Sequence, residues 1–149
     1  MKLPSRGSAI EVWVLGPNDE DIMRNVALEV FDETINADFV SEFLSDSRHH
    51  LAVALDGDLV VGFASGISYL HPDKPFELWI NEVGVAPTHQ RQGIGQKVIQ
   101  RLLEFGRGMG CQQAWVLTER SNLPARRLYE SSGGVKSSEH TILYEFQLQ

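Results

Sequence analysis

Residues 10–15 alternate, with Ile10, Val12 and Val14 on one side and Glu11 and Trp13 on the other, the period-two pattern of a strand. Gly16-Pro17-Asn18-Asp19 then reads as a turn into a helix capped by Asn18 or Asp19, with Ile22, Val26, Leu28 and Val30 as its apolar stripe. A second short helix over 38–44 directs Phe39, Val40, Phe43 and Leu44 inward. Residues 50–55 and 59–69 are strands joined by Asp56-Gly57, a dipeptide suited to a tight hairpin. The stretch 71–75 is a loop, because Pro72 and Pro75 deny a ladder its donors. A long strand covers 76–85, and a helix from Gln96 runs to about Arg107, with Gly106, Gly108 and Gly110 ending it. A strand over 113–118 precedes a helix over 123–132, and Gly133-Gly134 stops that helix. Two short strands follow, at 135–138 and 141–148. The order β-α-α-β-β-β-α-β-α-β-β holds consecutive hairpin partners, which excludes a fully parallel doubly wound sheet. No repeat or linker divides residues 1–149, so a single domain is expected.

The segment Val83-Gly84-Val85-Ala86-Pro87-Thr88-His89-Gln90-Arg91-Gln92-Gly93-Ile94-Gly95 carries the most chemistry. It is a strand, a proline stop, a glycine-bearing turn and a helix start. Helix starts expose backbone N–H groups and the positive end of the helix dipole. Glycines at 93 and 95 let a bulky anion approach those amides. The spacing is neither that of a P-loop, which needs a Lys and a hydroxyl residue after the second glycine, nor that of a dinucleotide fingerprint.

Gln90-x-x-Gly93-x-Gly95 resembles the pyrophosphate loop of the GNAT N-acetyltransferase superfamily. Asn122-Leu123-Pro124-Ala125-Arg126-Arg127-Leu128-Tyr129 resembles that superfamily's other signature, N-x-x-A-x-x-x-Y, in the right order and on a helix capped by Asn122. The resemblance extends over roughly 50–147. It implies a mixed α+β fold: a mostly antiparallel sheet of about seven strands, splayed between the fourth and fifth, flanked by about four helices.

The resemblance also implies acetyl-CoA as co-substrate. Val83 and Val85 would hold its pantetheine arm through their backbone, with the Val83 amide polarising the thioester carbonyl. The amides of Gln90, Arg91, Gln92, Gly93, Ile94 and Gly95 would take the pyrophosphate, and Asn122 would cap its helix and meet the arm or an ordered water. Tyr129 stands where the family places the phenol facing the coenzyme sulfur; a phenol of pKa about 10 can donate to a thiolate whose conjugate acid is near about 8.5. Glu82, just before Val83, is the candidate base or amine ligand, provided the strand carries a bulge. Asn81 and Glu145 are candidate acceptor-site residues. The stretch 80–94 and the ending Leu143-Tyr144-Glu145-Phe146 look similar to aminoglycoside 3-N-acetyltransferases of this type, which points to a cationic small-molecule amine. Acylation of a protein or peptide terminus, and a coenzyme-A-binding sensor without transfer, are the alternatives.

Composition narrows the field further. The chain has 42% hydrophobic and 22% charged residues, and its net charge of −7 argues against a dedicated nucleic-acid binder. Nine carboxylates between Asp19 and Asp46 stand against Arg24 alone; most decorate solvated faces, but together they would steer a cation. The lone Cys111 reads as a small hydrophobe, and the histidines show no metal-ligand spacing, so no metal is expected. Met1-Lys2-Leu3-Pro4-Ser5-Arg6 leads into no secretory apolar run, and no segment has the length of a membrane span. A cytoplasmic protein, with a homodimer open to it, is the expectation.

Overall fold

The computed structural model describes residues 9–149; the basic start read as no leader lies outside them. Five strands form one open mixed sheet in the order β1-β2-β3-β4-β5: β1 (Glu11–Val14), β2 (His49–Asp56), β3 (Leu59–Tyr69), β4 (Glu77–Val85) and β5 (Gln113–Val116). The first three pairings are antiparallel and β4 with β5 is parallel. Asp56-Gly57 turns the β2–β3 hairpin as expected, with Gly57 at φ +60°. The helices are α1 (Ala37–Ser45), α2 (Ile94–Met109) and α3 (Leu123–Ser131).

The helices cover both faces of the sheet. Side chains alternate along a strand, so the neighbours His49 and His50 point to opposite faces; Phe43 of α1 lies 5.1 Å from the His49 ring and Phe105 of α2 lies 5.2 Å from His50. Strands buried on both sides are near-continuous in apolar residues. Ala52, Val53, Val60, Val61 and Ala64 of β2 and β3 are fully buried, as are Val98 and Leu102 of α2. Each Val or Leu so buried contributes about 1.5–3 kcal/mol.

Several elements differ from the sequence expectation. The helix after Gly16 is only a 3-10 turn, Glu20–Arg24. Val26 makes a parallel bridge with Val60 instead, with Ala27 N donating to Val60 O and Val60 N to Asn25 O. These sheet-type bonds compete successfully with a helix weakened by β-branched Val26 and Val30. Val30 is buried, but Leu28 and Phe39, both assigned inward, are 87% and 70% exposed. Gly106 and Gly108 lie inside α2, and Gly110 (φ +96°) alone ends it; Gly106 lets the helix touch down, since a Cβ there would stand 3.0 Å from Leu78.

The sheet has five strands rather than about seven, and three α-helices are present among the described residues rather than about four. The stretches 135–138 and 141–148 form no ladder. A strand needs a neighbour's edge to satisfy its backbone, and in the isolated chain neither stretch reaches one. No helix among the described residues is long and apolar enough to cross a membrane.

Candidate active site

A fork between β4 and β5 is the centre of the site. The two strands pair from Glu77/Gln113 to Ile80/Val116 and then part, while β4 continues to Val85 on β3 alone. Below the fork the paired Trp79 and Trp115 stack at 5.4 Å, and Trp115 Nε1 donates to Tyr69 Oη, which donates to Glu77 Oε2. This rivet across three strands was not read from the sequence, although a Trp in each of two neighbouring strands is a visible signal.

At the parting point β4 carries a bulge. Ser65 faces Glu82 but Gly66 faces Ile80, which leaves Asn81 as the extra residue. Asn81 and Glu82 are both exposed here, at the mouth of the fork. The bulge expected for Glu82 is therefore present.

Gly84 was not singled out in the sequence beyond its place in the strand, yet it shapes this region. A Cβ on it would stand 2.3 Å from Val30 O and 2.8 Å from Phe63 Cε1. Only glycine lets the 27–35 segment cross β4 at this depth, where Phe31 stacks on Phe63 at 3.8 Å. Beside that crossing is a cavity of about 580 Å³ whose wall includes Glu20, Glu29, Asp32 and Glu33. Part of the acidic run thus lines a cavity under the 27–35 segment, together with Arg24. Asp46 does not belong to it; the Arg48 guanidinium holds its carboxyl well below the usual carboxylate range.

After β4 the chain makes a 3-10 turn, Pro87–His89, tied down at two points: Ala86 N donates to Val61 O at 2.8 Å, and His89 Nε2 lies 2.8 Å from Asp56 Oδ2. Arg91 and Gly93 adopt left-handed φ of 62° and 75°, and no side chain caps the start of α2. Gln90, Arg91, Gln92 and Gly93 are exposed and no side chain caps the helix that follows, an arrangement that can accept an anion. Gly95 also has a packing task. It is buried, and a Cβ there would meet Leu128 Cδ2 of α3 at 3.0 Å.

That contact brings α3 to the start of α2, helped by Gln96 Nε2 donating to Ser131 O. Asn122 Oδ1 accepts from Ala125 N at 3.1 Å, the cap expected from sequence. Tyr129 packs half-buried against the core, and burial alone pushes its phenol above the ordinary pKa of 10.0. It also lines a cleft of about 420 Å³ between β5 and residues 134–141. Glu145 is not brought to the site: it lies in the exposed tail, outside both cavities. Cys111 is half-buried and its thiol is raised by burial. Among the described residues no three His, Cys, Asp or Glu side chains gather as a metal site.

The family model of the acetyltransferase (GNAT) family matches residues 20–134. The chain belongs to the GNAT family. It is 39% identical over 90 residues, 60% of this chain and 54% of the relative, to the N-alpha-acetyltransferase RimI of Mycobacterium tuberculosis (strain ATCC 25618 / H37Rv). It is 34% identical over 101 residues, 68% of this chain and 51% of the relative, to a streptothricin acetyltransferase of Streptomyces lavendulae. The GNAT chain thus spans about half the length of these curated relatives. A solved aminoglycoside acetyltransferase from an uncultured soil metagenomic sample, in complex with sisomicin, superposes with a TM-score of 0.81 over 94% of this chain and 97% of that one. At 19% identity that likeness concerns the GNAT fold.

Proposed function

We propose that the protein transfers an acetyl group from acetyl-CoA to a primary amine of a cationic small molecule, by direct attack in a ternary complex. The observation that carries this reading is the β4/β5 fork opening onto the uncapped start of α2, with Gly93 in the left-handed conformation between them. The β4 backbone at Val83 and Val85 takes the pantetheine arm as a substitute strand. The cradle from Gln90 to Gly95 takes the diphosphate, and Asn122 meets the arm or an ordered water.

In this mechanism the amine nitrogen attacks the thioester carbon while the Val83 amide supports the developing oxyanion. The C–S bond then breaks, and Tyr129 gives its proton to the departing thiolate. The raised phenol keeps that proton across the neutral range. Glu82 receives the ammonium proton, directly or through water, and the tyrosinate is reprotonated from solvent. Asn81 orients the amine at the bulge.

The cavity under 27–35 supports a small acceptor over a protein terminus. Val30 O seated on Gly84 and Phe31 stacked on Phe63 leave less room beside β4 for a peptide chain, and the acids of the cavity wall, which outnumber Arg24 there, suit a polyamine or amino sugar. A thiol-release assay with acetyl-CoA against aminoglycosides, polyamines, amino acids and peptides tests it. Release driven by polyamines or aminoglycosides is expected. Release with peptides alone would move the assignment to protein termini, and tight coenzyme binding without release would make the chain a sensor.

A further inference from the structure

Phe63, Ser65, Ile67 and Tyr69 alternate onto one face of β3, so their partners on β4, Gly84, Glu82, Trp79 and Glu77, share that face. Glu82 and Trp79 are three positions apart and would otherwise point opposite ways; the extra residue Asn81 brings them to the same side. Trp115, paired with Trp79, joins the row. One end of the row is covered, where Val30 O rests at Gly84 and Phe31 stacks on Phe63. From exposed Glu82 it runs the other way, over the half-buried indoles of Trp79 and Trp115 to Glu77.

Glu77 ends the row with a carboxylate that is only half matched. Tyr69 Oη donates to Oε2 at 2.8 Å, and His71 Nε2 lies 3.3 Å from the same oxygen without hydrogen-bond geometry. Oε1 accepts no hydrogen bond from the described residues, and no Lys or Arg among them lies within ion-pairing distance. The Tyr69 hydrogen bond outweighs burial and holds the carboxyl below the usual range, so it is ionised at neutral pH. Glu82 and Glu77 face Ser65 and Tyr69, four residues apart on β3, which places them about 13 Å apart along the strand. Two carboxylates at that spacing, with an apolar aromatic surface between them, complement a chain that is charged at both ends and apolar in the middle.

We propose that this row is a two-point acceptor site for a long linear diamine or polyamine: the reacting nitrogen sits at Glu82, the methylene chain lies on Trp79 and Trp115, and a distal ammonium binds Glu77 Oε1. The inference rests on the acetyl transfer proposed above and narrows its acceptor. Glu77 is then the residue that measures acceptor length, since a short diamine held at Glu82 cannot reach it. A monoamine of equal length gains the indole contact alone.

Isothermal titration of the full chain in the presence of coenzyme A, with terminal diamines from diaminobutane to diaminododecane and the matching monoamines, tests it. Affinity should climb with diamine length to a best fit near diaminooctane to diaminodecane, where the diamine binds about tenfold more tightly than its monoamine. Glu77→Gln should bring that ratio close to one. Glu77→Asp keeps the charge on a shorter arm, so the advantage should persist and the best fit should move to a longer diamine. The wild-type series decides the matter even where a variant loses its fold. No binding by the long diamines, equal affinity for diamine and monoamine of one length, or an advantage that survives Glu77→Gln would overturn the proposal. Thiol release with the same amines separates the two readings. Length-dependent binding without release would keep the site and remove the transfer, whereas release by all amines alike, whatever their length, would keep the transfer and remove the site.

Discussion

Gly95 and Leu128 are in direct register across α2 and α3, and the space left by the missing side chain of the first is filled by the methyls of the second. The residue after Leu128 is Tyr129, so the depth at which α3 seats on the start of α2 sets where the phenol stands.

Gly95→Ala is expected to leave stability almost unchanged. Crowding at 3.0 Å against the ends of a flexible side chain costs about 1 kcal/mol, and the gain in helix propensity returns about 1 kcal/mol. Turnover should still fall several-fold, because α3 shifts. Thermal melting beside steady-state kinetics separates the two. Gly93→Ala should do the reverse to stability: nothing lies within 4 Å of its Cβ, but a φ of +75° costs an L-residue about 1–2 kcal/mol.

Gly84→Ala meets backbone rather than a movable side chain, with Val30 O at 2.3 Å. A loss of about 3 kcal/mol is expected, which corresponds to roughly 10 °C in Tm for a domain of this size. Calorimetry of the variant decides it; a melting point at the wild-type value would mean that the 27–35 segment does not rest on β4.

Tyr129→Phe removes one oxygen from a ring packed on the core. Coenzyme affinity should hold within twofold while kcat falls about a hundredfold, the usual scale for a lost general acid. The raised phenol places the alkaline limb of turnover above pH 10. Stopped-flow acetylation with isothermal titration of coenzyme A checks both parts, and wild-type turnover in the variant would remove the acid role.

His50 gives the fold an acid limit. It is buried, its Nε2 lies 2.8 Å from Ser68 Oγ, and desolvation followed by the charge of His49 lowers its pKa from 6.5. The unfolded chain therefore takes up a proton first as pH falls, so stability is complete above 6.5 and declines below it until the folded pKa is passed. Denaturant melts from pH 8 to pH 4.5 should show this loss, and His50→Gln should flatten that part of the curve.

Much of this was legible in the chain. Local signals identified the hairpin at Asp56-Gly57, the Asn122 cap, the glycine turn at Gly93 and the five strands that form, in their order along the chain. What escaped was decided by contacts distant in sequence. The helix expected after Gly16 yields to the bridge between Val26 and Val60, and the tasks of Gly84 and Gly95 exist only because Val30 and Leu128 come to rest on them. The tail has strand propensity, but pairing is a property of two segments, and its sequence names no partner within the chain. Glu145 stays in the exposed tail for that reason.

The tryptophan stack across β4 and β5 sits one residue pair before the last rung of their ladder. Peeling the strands further apart would have to unstack two indoles, so the crotch of the fork has a fixed floor. On the function proposed above, an acyl donor lying in the fork would meet that floor, and a chain longer than acetyl would have to project outward, towards the acceptor.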